Sequence, residues 1–195
     1  YYQVIEQYTT LTGRPAMPNA FALGYQQSKW GYRTQNEVEL VIRQLNDEKI
    51  PFDSIWLDID HLDEKTPFTF SHQAFPNPDK LYSDMAQQHR YVVRISDPHL
   101  PTQSDLRQSR EARRQKYFVL NAQNQLFSGD AWPGVCYFVD FLNPSARAWW
   151  GQQYVYGNDI VGTNVFSWND MNEPSIFKGF ESTFPKDLIH FGNKE

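Results

Sequence analysis

The 195 residues are 40% hydrophobic, 16% aromatic and 21% charged, enough apolar mass for one packed domain and unlike a disordered tail. A formal net charge of −5 and an isoelectric point near 5.5 argue against nucleic acid or anionic membrane as partner. No apolar run reaches the roughly 20 residues of a membrane-spanning helix, and the single cysteine, Cys136, excludes a disulfide-stapled mini-domain. The start at Tyr1-Tyr2-Gln3, with neither an initiator Met nor a signal-peptide pattern, reads as a point inside a longer polypeptide.

In chain order, Phe21-Ala22-Leu23-Gly24-Tyr25 reads as a short buried strand. Thr34 followed by Glu37 forms a capping box, and Val38, Val41, Ile42 and Leu45 then supply one apolar helical stripe that Ile50-Pro51 stops. A second strand is predicted over Ser54–Asp60. Asn77-Pro78 opens a helix through Leu81 and Met85, with Asn as cap and proline at the first helical position. The third strand is Tyr91–Ser96. From Arg107 to Lys116 run four arginines and one lysine, with Glu111 among them. Such a stretch suits either a polyanion site or, in an acidic chain, a solvated helix face, and the second is expected. Asn143-Pro144 opens a helix carrying Trp149 and Trp150, and Val165–Asn169 is the fourth strand.

Strands alternating with helices predict a parallel α/β sheet. Four such strands make about half of a (β/α)8 TIM barrel. Three of them end in a carboxylate: Asp58, Asp97 and Asp170. Ligands of parallel sheets bind beyond the carboxyl ends of the strands, so these acids should meet at one mouth. The period of two puts Trp56, Asp58 and Asp60 on one strand face and Trp168 with Asp170 on another. Rings beside carboxylates suit sugars, which stack their C–H faces and donate their hydroxyls. A rival reading takes Asp58-Ile59-Asp60-His61 as the divalent-cation site of a metal-dependent glycosyltransferase. The chain lacks the Gly-rich strand-to-helix turn that a diphosphate would need, which argues against it. The other alternative is a noncatalytic carbohydrate-binding domain.

Trp168-Asn169-Asp170-Met171-Asn172-Glu173-Pro174-Ser175 resembles the nucleophile signature of glycoside hydrolase family 31, in the α-glucosidase and glucosidase II branch. The resemblance spans nearly the whole chain. Gly24–Tyr32 is similar to the family's first-strand segment, Ile55–His61 to its second-strand motif, and Asp97-Pro98-His99 to the end of its third strand. Trp132-Pro133-Gly134, Asp140–Pro144 and Pro185-Lys186-Asp187 are similar to segments flanking the nucleophile strand. Ser28-Lys29 stands where many relatives carry Cys-Arg, and Phe68-Thr69-Phe70-Ser71 where many carry Phe-Thr-Trp-Asp. These departures bear on leaving-group preference rather than reaction class.

The resemblance implies a retaining α-glucosidase, a hydrolase of carbohydrate metabolism without cofactor or catalytic metal, acting on an oligosaccharide or α-glucoside. Asp170 would be the nucleophile and Asp58 a ligand for hydroxyls of the cleaved sugar. Ile59, Ile95, Trp132, Trp168 and Met171 would line that subsite, with Trp30 at its rim. Glu173 and Asp97 would support it; Glu173 would not be the second catalytic acid, since it lies only three residues from Asp170 and two groups so close on one strand cannot easily flank both sides of a glycosidic bond. The family's acid/base lies beyond Glu195, and its β-sandwich precedes the barrel. Residues 1–18 are therefore expected to be a connecting segment, residues 19–195 part of the barrel, and the remainder of the same polypeptide the main partner. The lone cysteine points to a reducing compartment such as the bacterial cytoplasm, with the ER lumen and secretion left open.

Overall fold

The computed structural model describes residues 1–155, 162–179 and 181–192. Its frame is a four-stranded, all-parallel sheet of β1 (Gln26–Gln27), β2 (Ser54–Leu57), β3 (Tyr91–Ser96) and β7 (Val165–Asn169), hydrogen-bonded in that order. The register pairs Trp56 with Val93 and Ile95 with Trp168. All strand ends therefore point to one mouth, and β1 and β7 form the edges.

Two helices cover the outer face. In α2 (Gln35–Asp47), the Thr34 side chain accepts the Glu37 amide at 3.2 Å, while Glu37 reaches back to the Arg33 amide at 2.7 Å. The helix ends three residues ahead of Ile50, where Lys49 takes φ 56° and the Ile50 amide returns to the Leu45 carbonyl. In α3 (Pro78–Gln87) the Asn77 side chain accepts the Lys80 amide at 3.1 Å. Val38 and Ile42 of α2 and Leu81 and Met85 of α3 close over Ile55, Leu57, Val92 and Val165 of the sheet. By alternation the inner face then carries Trp56, Val93, Ile95 and Trp168. Phe21, Tyr91 and Phe166 stack at the far end, with ring centroids 4.1 to 5.6 Å apart.

Two predicted strands need correction. Ala20–Leu23 is a single 3-10 turn with Leu23 70% exposed, and the strand lies later, at Gln26–Gln27. This strand is polar because its partners are polar: the Gln26 side chain bonds Ser54 and the Trp56 indole. The second strand stops at Leu57, because the Asp58 side chain accepts the next amide and turns Ile59–His61 into a 3-10 helix. Tyr91–Ser96 and Val165–Asn169 are strands over the predicted residues.

Between β3 and β7 the chain builds a second sheet that sequence patterning did not reveal. In it β4 (His99–Pro101), β6 (Gly134–Phe138) and β5 (Ser128–Ala131) pair antiparallel. Two helices accompany it, α4 (Arg107–Arg114) and α5 (Pro144–Gln152), the latter capped by Asn143. Trp149 and Trp150 pack into a second core with Leu100, Phe118 and Val139. Arg107, Arg110 and Arg113 of α4 are engaged within the chain: Arg107 with Glu111 at 3.2 Å, Arg110 with the Asp105 carbonyl, and Arg113 with the Thr102 carbonyl at 2.7 Å and the face of Tyr137. That is the behaviour of a solvated helix face rather than of a polyanion site. An N-terminal helix, α1 (Tyr2–Thr12), has no buried residue.

Candidate active site

The mouth is assembled from the ends of β2, β3 and β7 and from the turn of the inserted sheet. Asp58 follows β2; one of its oxygens accepts the Ile59 amide at 2.7 Å. Burial raises its pKa, opposed by the Ile59 amide and reinforced by the charges of Asp60 and Asp170. Asp170 follows β7, its amide bonded to the Ser96 carbonyl at 3.3 Å. Met171 then takes φ 60°, a left-handed conformation that costs a residue with a side chain free energy and turns the chain sharply just after the acid.

Asp97 follows β3 and is wholly buried, neither oxygen having a hydrogen-bond partner among the described residues. Burial pushes it up to about 7, helped by the charges of Asp170, Asp58 and Glu173. Its neighbour His99 is equally buried, with Nε2 at 3.6 Å from an Asp97 oxygen, and burial pulls it down to about 4. Because β2, β3 and β7 run parallel, the acids that follow them, Asp58, Asp97 and Asp170, stand at the same end of the sheet, and their charges act on one another.

Apolar walls complete it. Ile59, Leu62 and Ile95 form a small buried cluster against which Trp132 and Trp168 pack. Trp168 tilts against Trp56 at 5.4 Å, and Trp132 against Trp30 at 5.6 Å. Trp30 is 62% exposed, which puts it on the rim. The structure therefore gathers Asp58, Ile59, Ile95, Trp132 and Trp168 around one opening. Met171 and Asp170 are half-buried beside it, and Glu173 is exposed.

Two neighbours were not found by sequence reasoning. Phe177 sets its ring edge-on to Trp132 at 4.6 Å, and the Lys65 ammonium lies over the Trp132 face at 5.0 Å. Lys65 comes from a one-turn 3-10 helix, Asp63–Lys65, and Phe177 from a loop, neither with periodicity, so only tertiary contact identifies them.

The divalent-cation alternative loses its geometric basis. Since β2 ends at Leu57, Asp58 and Asp60 do not share a strand face, and an Asp60 oxygen is taken by the Gly31 amide at 2.8 Å. His61 is buried against Arg94. Among the described residues no group of three or more His, Cys, Asp or Glu side chains is arranged to hold a metal ion.

A family model described as the glycosyl hydrolases family 31 TIM-barrel domain matches residues 15–194. A probable glucan 1,3-alpha-glucosidase of Oryza sativa subsp. japonica is 42% identical over 193 residues, which are 98% of this chain and 21% of the relative. The human neutral alpha-glucosidase AB is also 42% identical over 193 residues, 98% of this chain and 20% of that protein. Among solved structures, an ER glucosidase II heterodimeric complex of catalytic subunit and regulatory-subunit binding domain superposes with a TM-score of 0.92 at 38% identity. The match covers 97% of this chain and 21% of that one. The chain thus spans about a fifth of the length of these relatives.

Proposed function

The chain belongs to glycosyl hydrolase family 31, and from that footing we propose that the protein containing it is a retaining α-glucosidase whose nucleophile is Asp170. The observation that carries this reading is that Asp58 and Asp170 directly follow β2 and β7, strands of one parallel sheet, beside the Trp56–Trp168 pair. In the first step an Asp170 oxygen attacks the anomeric carbon of a terminal α-linked glucose. The glycosidic C–O bond breaks, and a carboxylic acid from the rest of the polypeptide protonates the departing oxygen. In the second step that carboxylate takes a proton from water, the water oxygen bonds the anomeric carbon, and the ester to Asp170 breaks.

Asp58 receives sugar hydroxyls through the oxygen that the Ile59 amide leaves free. Ile59, Ile95, Trp132, Trp168 and Met171 line the pocket for that sugar, and Trp30 meets what is attached to it. Asp97 and Glu173 shape the field around the nucleophile. Residues 1–18 lead into the barrel and residues 19–195 form part of it. Cys136 is buried, its thiol pushed up to about 12 mainly by burial, so it carries no information about a compartment. The expectation of a bacterial cytoplasm finds no support among the relatives described, one of which is titled an ER enzyme, and we place the whole protein in the ER lumen.

The test is incubation of the full-length protein with an activated fluoro-α-glucoside, followed by peptide mass spectrometry. A glycosyl ester on Asp170 is expected. A label on another carboxylate moves the nucleophile, and a protein that binds the sugar without being labelled is a carbohydrate-binding domain instead.

A further inference from the structure

Behind the mouth, on the face of β3 turned away from the sugar pocket, lies a charged side chain in a place that patterning marks as apolar. Arg94 shares its strand face with Val92, which packs under α2 and α3, and is itself only 2% exposed. Its guanidinium stacks on the Phe70 ring at 4.0 Å. One terminal nitrogen donates to the Thr69 carbonyl at 3.2 Å, and Nε donates to His61 Nε2, also at 3.2 Å. A guanidinium has no acceptor atom, so His61 Nε2 must be the acceptor and the imidazole proton must sit on Nδ1. That nitrogen lies 2.6 Å from the Asp58 carbonyl oxygen. Burial and the Arg94 charge both hold His61 well below its usual range, which keeps it in this neutral form.

The Asp58 carbonyl thus accepts two bonds from one residue, the second from the His61 amide at 3.3 Å. The 3-10 turn that they close carries Asp58 at one end and Ile59, a wall of the pocket, as its next residue. From the other side, the Ser71 amide holds the His61 carbonyl at 2.9 Å. Phe70 and Ser71, two positions where the chain departs from the pattern that it resembles, are therefore both part of this support.

We propose that Arg94 is a positioning residue for sugar recognition, acting through His61 to fix the Asp58 turn and so the direction of the Asp58 carboxylate. The proposal rests on the reading of Asp58 as the ligand for sugar hydroxyls. A guanidinium suits the task because its planar fork holds the His61 ring and the 69–71 loop in one geometry, which an apolar side chain of equal volume cannot do. Buried networks of this kind set orientation more than stability.

The test compares kcat/KM of the full-length enzyme for an aryl α-glucoside and for its singly deoxygenated analogues. Loss of the hydroxyl that meets Asp58 should be the costly deletion, and Asp58→Asn should erase that penalty. Arg94→Met should lower kcat/KM for the parent glucoside about tenfold, the scale of a charge-assisted hydrogen bond. It should reduce the penalty at that same hydroxyl by a similar factor and leave the other deoxy penalties as they were. Arg94→Lys, which still donates to His61, should restore much of the discrimination. Should Arg94→Met not accumulate, His61→Phe is read the same way, since it keeps ring volume and removes the proton aimed at Asp58. A uniform loss over all analogues, or none, makes Arg94 merely structural and overturns the proposal. A deoxy profile unchanged in Asp58→Asn removes the reading of Asp58 itself, and the proposal falls with it.

Discussion

The two sheets of this chain solve different problems. The parallel sheet is deepest at its centre, where five of the six residues of β3 are buried, while its edge strand β7 buries only Val165, and it carries the acids at its strand ends. The antiparallel insertion is thin and half wet; β5 has one buried residue, Ala131. Yet it contributes the wall residue Trp132 and, through His99 and Cys136, the surroundings of Asp97. The difference separates precision from adaptability. On the proposed reading the nucleophile Asp170 and the hydroxyl ligand Asp58 stand at strand ends of the parallel sheet, whereas the wall residue Trp132 stands on a turn of the insertion.

The comparison is broken most directly at the proposed nucleophile, Asp170. In the full-length enzyme, Asp170→Asn keeps the side chain's shape but removes its nucleophilicity, and should cost about three or more orders of magnitude in kcat, about 4 kcal/mol of barrier. External azide should restore turnover of an activated substrate and give the inverted glycosyl azide. An azide product of retained configuration would make Asp170 the acid/base. Asp58→Ala, on the neighbouring strand, should cost about 3 kcal/mol in kcat/KM, because hydrogen bonds to the sugar tighten as its ring flattens. A value near wild type would reduce Asp58 to a cap for Ile59.

Where the two sheets meet, Asp97 and His99 make a pH prediction whose signs oppose. Burial raises Asp97 from 3.8 to about 7, so the native state holds a proton that the unfolded chain has lost, and this contribution to stability fades as pH rises through that window. Burial lowers His99 from 6.5 to about 4, so the unfolded chain holds the extra proton, and this contribution grows as pH rises. Where the windows overlap the proton counts cancel, and wild-type stability should owe no slope to the pair. Asp97→Asn should expose a rise of about 1.4 kcal/mol per pH unit, and His99→Asn a fall of similar size. Denaturant melts of the full-length proteins across this range measure both slopes. Equal slopes in all three proteins would show that the pair is not buried neutral.

Legibility in the sequence follows the same division. Tyr91–Ser96 is readable because a strand covered on both faces is rich in apolar and β-branched residues, and the edge strand Val165–Asn169 keeps enough of that character in Val165, Phe166 and Trp168. Asp58, Asp97 and Asp170 are readable as a group because parallel topology alone brings their strand ends together. The alternation of Trp56, Asp58 and Asp60 misleads, since a period of two cannot register that Asp58 bonds the very next amide and ends the strand. Phe21 misleads because its ring is an end plug for Tyr91 and Phe166 rather than part of a strand. Ser128-Gly129-Asp130-Ala131 has the composition of a loop and is a strand only because β6 offers it a ladder. Arg94 reads in the sequence as one residue of a strand; nothing local tells that its charge is buried.

The smallest effect expected is also the one that best separates the two regions. Ala131 pairs with Gly134 across a two-residue turn made of Trp132 and Pro133, and Gly134 has φ 101°. A side chain there would meet no atom within 4 Å, so any cost of Gly134→Ala is backbone strain and not collision. Forcing alanine to a positive φ should cost about 1 kcal/mol of stability. Rotating the turn relieves the strain, and the turn carries Trp132, which packs against the cluster of Ile59, Leu62 and Ile95. Substrate recognition should therefore change more than chemistry: KM for an aryl α-glucoside should rise about threefold to tenfold while kcat changes by less than about twofold. Labelling of Asp170 by the activated fluoro-sugar should still go to completion. A kcat that falls together with KM unchanged would mean that the inserted sheet supports the nucleophile strand itself, and that the two regions are one mechanical unit.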